Sequence, residues 1–268
     1  MYGFWYSVKE NYSFSKQELA ELFWTSLAFA FMITVHYTNL FSIVGTGNLR
    51  ITYSGDVLMF FILSLVVIPL VMYLHVALQK LVGIKLGYKV KYTYLLNGIL
   101  IGLFLCIITI PVGKIPLLSI FILPGAVTLE HIPKLRLGKF RYGTNAKDIA
   151  RVSLAGPLAH ILISTILGII YFTTNKNPII FNLIIANLLL MIYSMLPVPK
   201  IDAPTKIDSA SDGLGLFFYS RKVYILCVLV VIFYSVLIWT ANLFSFFLAL
   251  FLALITSMIY FTVVKQPN

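Results

Sequence analysis

Long apolar runs alternate along this chain with short polar or glycine-rich connections. The first run, 19–39, is preceded by Ser15-Lys16-Gln17-Glu18, a capping box in which Ser15 is the N-cap and Glu18 reaches back to it. A second run covers 57–82 and contains Pro69 and His75, so it is not a plain lipid-facing helix. Four more follow at 149–173, 178–196, 222–241 and 242–264. Each approaches the roughly 20 residues that a helix needs to cross a bilayer. The stretch 37–56, with Gly45, Gly47, Asn48 and Gly55, is expected to be a loop.

The region 93–128 breaks this rhythm. Two apolar pieces, 94–110 and 115–123, are separated by Pro111-Val112-Gly113-Lys114, and neither has the form of a simple span.

Composition narrows the class. Of 268 residues, 60% are hydrophobic and 11% charged, with a mean hydropathy of +0.96. A soluble domain is about 25% charged, and no soluble globule of this size can hide so much apolar surface. A soluble enzyme, a nucleic-acid-binding domain and a disordered chain are therefore excluded. Cys106 and Cys227 lie inside apolar runs and read as small hydrophobic residues, with no disulfide framework or cysteine metal site. Residues 1–18 mix aromatic and polar positions, and no cleavable signal peptide is expected.

The net charge of +11 concentrates in two flanks. One is Lys80, Lys85, Lys89 and Lys91; the other is Lys134, Arg136, Lys139, Arg141, Lys147 and Arg151. If 93–124 crossed the membrane once, these flanks would lie on opposite sides. If it enters and returns, both lie on one side, where lysine and arginine collect. The expected fold is an α-helical polytopic membrane protein, one domain over 1–268. It has about six transmembrane helices and a small membrane-embedded β or re-entrant hairpin at 93–128. The N-terminus and both basic flanks are expected in the cytoplasm. Non-helical backbone at membrane depth is tolerated only when packed in protein or lining a wet cavity.

Three blocks of polar and turn residues interrupt the apolar runs. The first runs from His75-Val76-Ala77-Leu78-Gln79-Lys80 to Gly87-Tyr88. The second is Leu123-Pro124-Gly125-Ala126-Val127, followed by Ala155-Gly156-Pro157-Leu158-Ala159-His160. The third is Leu196-Pro197-Val198-Pro199-Lys200-Ile201-Asp202, with Asp212-Gly213 ten residues on. In this order they resemble the site-2 protease family of intramembrane zinc metalloproteases, and its archaeal branch most closely. That family carries H-E-x-x-H-K on a membrane helix, then P-G-A-V, then A-G-P-x-x-N, then L-P-x-P-x-L-D-G. The resemblance covers nearly the whole chain.

What it implies is a zinc site held by two histidines one helical turn apart and a later aspartate, with the intervening glutamate as general base. Here His75 keeps the first ligand position. Val76 stands at the base position and cannot take a proton. Gln79 replaces the second histidine with a neutral amide, a poor zinc ligand. The aspartate is Asp212, which keeps the D-G pair, or alternatively Asp202, which keeps the L-P-x-P spacing. His160 stands where the family has asparagine. A rebuilt site from His75, His160 and Asp212, with Glu130 as base, is a further alternative. Otherwise His160 is a hydrogen-bonded residue inside a helix pack, His131 a loop residue, and His36 an interfacial or core histidine.

By the same resemblance, Pro124, Gly125, Ala126 and Val127 would lie beside the site and pair with an unwound substrate strand. Strand addition gives that capture a physical basis. Gly156 and Pro157 would let two backbones approach closely. Structure alone would also account for both segments.

With base and second histidine both gone, the resemblance implies a catalytically inactive pseudoprotease. Such a protein binds transmembrane segments of other proteins or serves as a membrane-complex subunit, with the lipid bilayer as its medium, no nucleic acid, and no zinc expected. The alternative is an active intramembrane zinc metalloprotease with a rearranged metal site. A transporter or channel is a third class, but no internal repeat points to it.

Overall fold

The Ser15 capping box forms as its sequence dictates. Ser15 Oγ accepts from the Glu18 amide at 3.1 Å, and Glu18 Oε2 accepts from the Ser15 amide at 2.8 Å. From there α2 (Lys16–Tyr37) runs into the apolar body, preceded by a short helix α1 (Phe4–Asn11) that the pattern did not announce. The computed structural model describes residues 4–38, 41–44, 48–51, 55–112, 116–123, 125–132, 144–198, 209–241 and 244–263. Pro124, Asp202 and the basic stretch 134–141 lie outside them.

Five helices among the described residues are long and apolar enough to cross a membrane: Lys16–Tyr37, Val57–Leu86, Ala146–Thr173, Arg221–Thr240 and Ser245–Thr262. They belong to α2, α3 (Gly55–Leu86), α6 (Ala146–Thr173), α9 (Arg221–Ala241) and α10 (Ser245–Val263). Large apolar side chains stand exposed on them, among them Leu58, Val66, Ile166, Val236 and Met258. A soluble monomer does not carry contiguous apolar surface on this scale. The architecture is consistent with a multi-pass α-helical membrane protein. The expected sixth span, 178–196, is a 17-residue helix α7 (Pro178–Ser194). At about 1.5 Å per residue it is near 26 Å long, just under the hydrocarbon thickness.

Within the stretch expected to be a loop, β1 (Phe41–Val44) pairs antiparallel with β2 (Asn48–Ile51). The region 93–128 is also different in detail. Its first half is a helix, α4 (Leu96–Val112), followed by a four-residue helix α5 (Pro116–Ser119). The flanking strands β3 (Tyr88–Thr93) and β4 (Ala126–His131) pair antiparallel, with Thr93 opposite Ala126. The two ends of this region therefore lie side by side. The return is packed onto α4, because Gly98 and Gly102 leave no Cβ where Leu123 and the Phe121 carbonyl lie.

A short strand β5 (Ser209–Ala210) pairs with β4 and completes a sheet of order β3-β4-β5. It leads into α8 (Asp212–Tyr219). One apolar core joins α2, α3, α4, α7 and the sheet, with Phe29, Ile68, Val76, Tyr88 and Leu190 at its centre. A second joins α6, α7, α9 and α10 around Ile184, Met191 and Tyr234.

Lys80 does not belong to the exposed basic flank that its neighbours suggest. It is buried, with Nζ 2.8 Å from Glu18 Oε1.

Candidate functional site

Helical spacing places His75 and Gln79 one above the other on α3, and both are buried. α6 crosses beside them and brings His160 and Gly156. The loop after α7 turns back through Ser211: Val198 N donates to Ser211 Oγ at 3.0 Å, and Ser211 Oγ donates to the Leu196 carbonyl at 2.6 Å. The Leu196-Pro197-Val198 block and Asp212 are thus side by side. Asp212 opens α8, with Ser211 as its N-cap.

These elements converge on one buried network. His75 Nε2 lies 3.2 Å from Asp212 Oδ2. Gln79 Nε2 donates to Asp212 Oδ1 at 2.6 Å. On the other side of the imidazole, His75 Nδ1 is 3.0 Å from His160 Nε2. His160 Nδ1 is 2.7 Å from Asn187 Oδ1 on α7. The Asn187 amide nitrogen donates to the His160 carbonyl at 2.9 Å and to Ser164 Oγ at 2.6 Å.

The donors and acceptors fix where the protons sit. Asn187 Nδ2 faces a backbone carbonyl, which only accepts, so Asn187 Oδ1 is the acceptor for His160 Nδ1–H. For a neutral His160, Nε2 then accepts from His75 Nδ1–H. His75 Nε2 and Asp212 Oδ2 are left facing each other, and one proton must lie between them. The Gln79 amide is oriented by the same logic, since the carboxylate requires its NH₂. Its Oε1 is then buried with no hydrogen-bond partner among the described residues.

Gly156 is required by this packing. A Cβ there would strike the His75 ring and come 2.5 Å from Asp212 Oδ2. The segment Gly125–Val127 also reaches the site. With Met72, Leu95, Tyr193 and Asp212 it lines a cavity of about 20 Å³ beside His75 and Gln79, the room of about one water.

The structure therefore brings His75, Gln79, His160, Gly156 and Asp212 together, with Gly125, Ala126 and Val127 at the cavity wall. Pro157 turns away and lines a different, apolar groove. Glu130 is not in the site. It lies four residues along β4 from Ala126, roughly 13 Å at strand rise, half-exposed and ion-paired to Lys91 at 2.8 Å. His131 is a strand residue rather than a loop residue, its ring 4.8 Å from that of Tyr88. His36 Nδ1 meets Ser119 Oγ at 2.6 Å.

The edge of β4 expected to receive an added strand is taken at Val127 and Thr128. Val127 pairs with Ala210 and Thr128 with Ser209 on one side, while β3 holds the other side. The outer edge of β3 is met by α2 at its far end, where Glu18 accepts from the Tyr92 amide at 2.9 Å and, just past the strand, Glu21 from the Tyr94 amide at 3.0 Å.

A zinc ion needs about four donors near 2.0–2.3 Å from one point. His75 and Asp212 share a point; His160 does not, because it meets the opposite ring nitrogen. Among the described residues no group of three His, Cys, Asp or Glu side chains is placed to hold a metal ion. The donor set as folded does not fit zinc.

Asn187 escaped the reading of the sequence, although its signal was there: an amide inside an apolar helix. The Lys80–Glu18 pair also escaped, since nothing local distinguishes Lys80 from its flanking lysines. No family model matches the chain, and no curated protein or solved structure matches it either.

Proposed function

We propose that this protein is a site-2-protease-like pseudoenzyme of the membrane. It would keep the fold and the buried polar centre of that family, and act as a complex subunit or binder of transmembrane segments rather than as a hydrolase. In this reading the N-terminus and basic flanks face the cytoplasm, and α4 with its return enters the membrane from that side. The observation that carries the proposal is the pair of residues around His75. Val76 is fully buried in the apolar core and offers no base where general-base catalysis is worth about 10²–10⁴-fold. Gln79 spends its amide on Asp212, where a second imidazole would be needed to hold metal. The paired edge of β4 supports a role in assembly over capture of an extended peptide.

The test is zinc content of the purified protein beside His75→Ala and Gln79→His, with cleavage of a membrane-helix substrate followed in parallel. Expected are zinc no higher in the parent than in His75→Ala, a gain in Gln79→His, and no cleavage by the parent. One equivalent of zinc in the parent, lost in His75→Ala, overturns the proposal. It would show that His160 turns to join His75 and Asp212 in an active, rearranged site.

A further inference from the structure

Behind the buried site, α6, α9 and α10 leave an open groove of about 290 Å³. Leu154, Leu158, Leu226, Cys227, Val230 and Leu250 are among its walls, and every lining side chain lacks a strong hydrogen-bonding group. It follows α9 from Val223 to Val231, about 12 Å at helical rise. The groove is open on one side and apolar along its whole length. That is the shape and chemistry of one hydrocarbon chain.

Helical spacing puts basic residues just beyond one end of the groove's lining. Arg151 lies on the same stripe of α6 as Leu154 and Leu158, three and seven residues on. Lys222 lies on the stripe of α9 that continues through Leu226 and Val230. The two helix starts are neighbours, because Gly215 of α8 packs on Ile149 and Ser153 of α6 just before α9 begins at Arg221. Arg221 and Lys222 are exposed and rest beside aromatic rings, Phe217 and Phe261, each at 5.5 Å. Neither has a carboxylate partner among the described residues. Arg151 is half-exposed, with Asp148 at 3.5 Å.

We propose that this groove is a binding site for an anionic phospholipid, with one acyl chain between α6, α9 and α10 and the phosphate held by Arg151, Arg221 and Lys222. Basic pockets between membrane helices suit such headgroups, and each cation near the surface adds about fivefold in affinity. The proposal needs only that α6, α9 and α10 lie in a bilayer; it does not depend on the state of the His75 site.

The test uses the full chain in nanodiscs of equal parts phosphatidylcholine and phosphatidylglycerol. Lipids retained after mild extraction are counted by native mass spectrometry. Expected is retention of phosphatidylglycerol over phosphatidylcholine, reduced about fivefold for each of Arg151→Gln, Arg221→Gln and Lys222→Gln. Cys227→Trp, which fills the groove, should abolish retention of both. Should that variant not fold, Cys227 itself reports. Cys106 is buried, so a thiol-reactive bimane should label Cys227 more slowly in phosphatidylglycerol bilayers than in phosphatidylcholine, and the triple glutamine variant should lose that difference. Equal retention in parent and triple variant overturns the proposal. So does protection of Cys227 in every lipid together with two chains per disc, which would make the groove an interface between copies.

Discussion

Gln79 and Lys80 are adjacent on α3, yet they belong to two buried polar networks of opposite character. Lys80 donates to Glu18, 2.8 Å from Oε1 and 3.1 Å from Oε2, and to the Ser13 carbonyl at 2.7 Å, with the Phe14 ring 4.2 Å from its ammonium. Glu18 in turn accepts from the Ser15 and Tyr92 amides. Every strong group there is answered, and the network ties α2, α3 and β3 together. The network of Gln79 is different. Its carbonyl oxygen has no partner among the described residues, a cavity of about 20 Å³ adjoins it, and its carboxylate is shared between an imidazole and an amide. A satisfied buried network is a structural joint. One that retains an unanswered acceptor and a gap has room for chemistry its own side chains do not supply.

This contrast is open to attack by substitution. The largest effect is expected at Lys80→Ala, which leaves the Glu18 carboxylate buried without its counter-ion. A cost of about 3–5 kcal/mol should appear as a lost or strongly lowered melting transition in detergent, largely restored by Lys80→Met combined with Glu18→Gln. Next is Gly156→Ala, where the new methyl must push His75 from Asp212. Overpacking of this kind costs about 1–3 kcal/mol, and Asp212→Ala in the same chain should return part of it, a coupling readable by a double-mutant cycle. The smallest effect is expected at Gln79→Met. It removes one hydrogen bond to Asp212 but also the unpartnered carbonyl, so the two changes offset to within about 1 kcal/mol. A loss at Gln79→Met as large as at Lys80→Ala would erase the distinction between the networks.

Much of this was legible locally. The capping box at Ser15 and Glu18 is a four-residue pattern and formed as read. The spans are legible because a membrane helix satisfies its backbone within itself, so a long apolar run is nearly sufficient. The misreadings have the opposite character. Residues 41–44 and 48–51 lie in a stretch of loop composition but pair as strands. The segment 96–112 holds Pro111 and glycines but folds as a helix, since α2 and the returning chain pack on it. Glu130 reads as a base for a rebuilt site, yet strand rise carries it away from Ala126 and the cavity, and His131, read as a loop residue, is part of β4.

The amino-acid sequence by itself determined the apolar helices and which chemical groups stand at 75, 76, 79, 160 and 212. It thereby determined that no carboxylate follows His75. Only the tertiary structure decided how those groups meet. His75 and His160 are 85 residues apart, and Gln79 and Asp212 are 133 apart. Their contacts follow from how α3, α6, α7 and α8 cross, and crossing geometry depends on whole helix surfaces and on close approaches such as that at Gly156. The crossing sets His160 against one nitrogen of His75 and Asp212 against the other. The same residue types become a proton-linked row instead of a ring around one point.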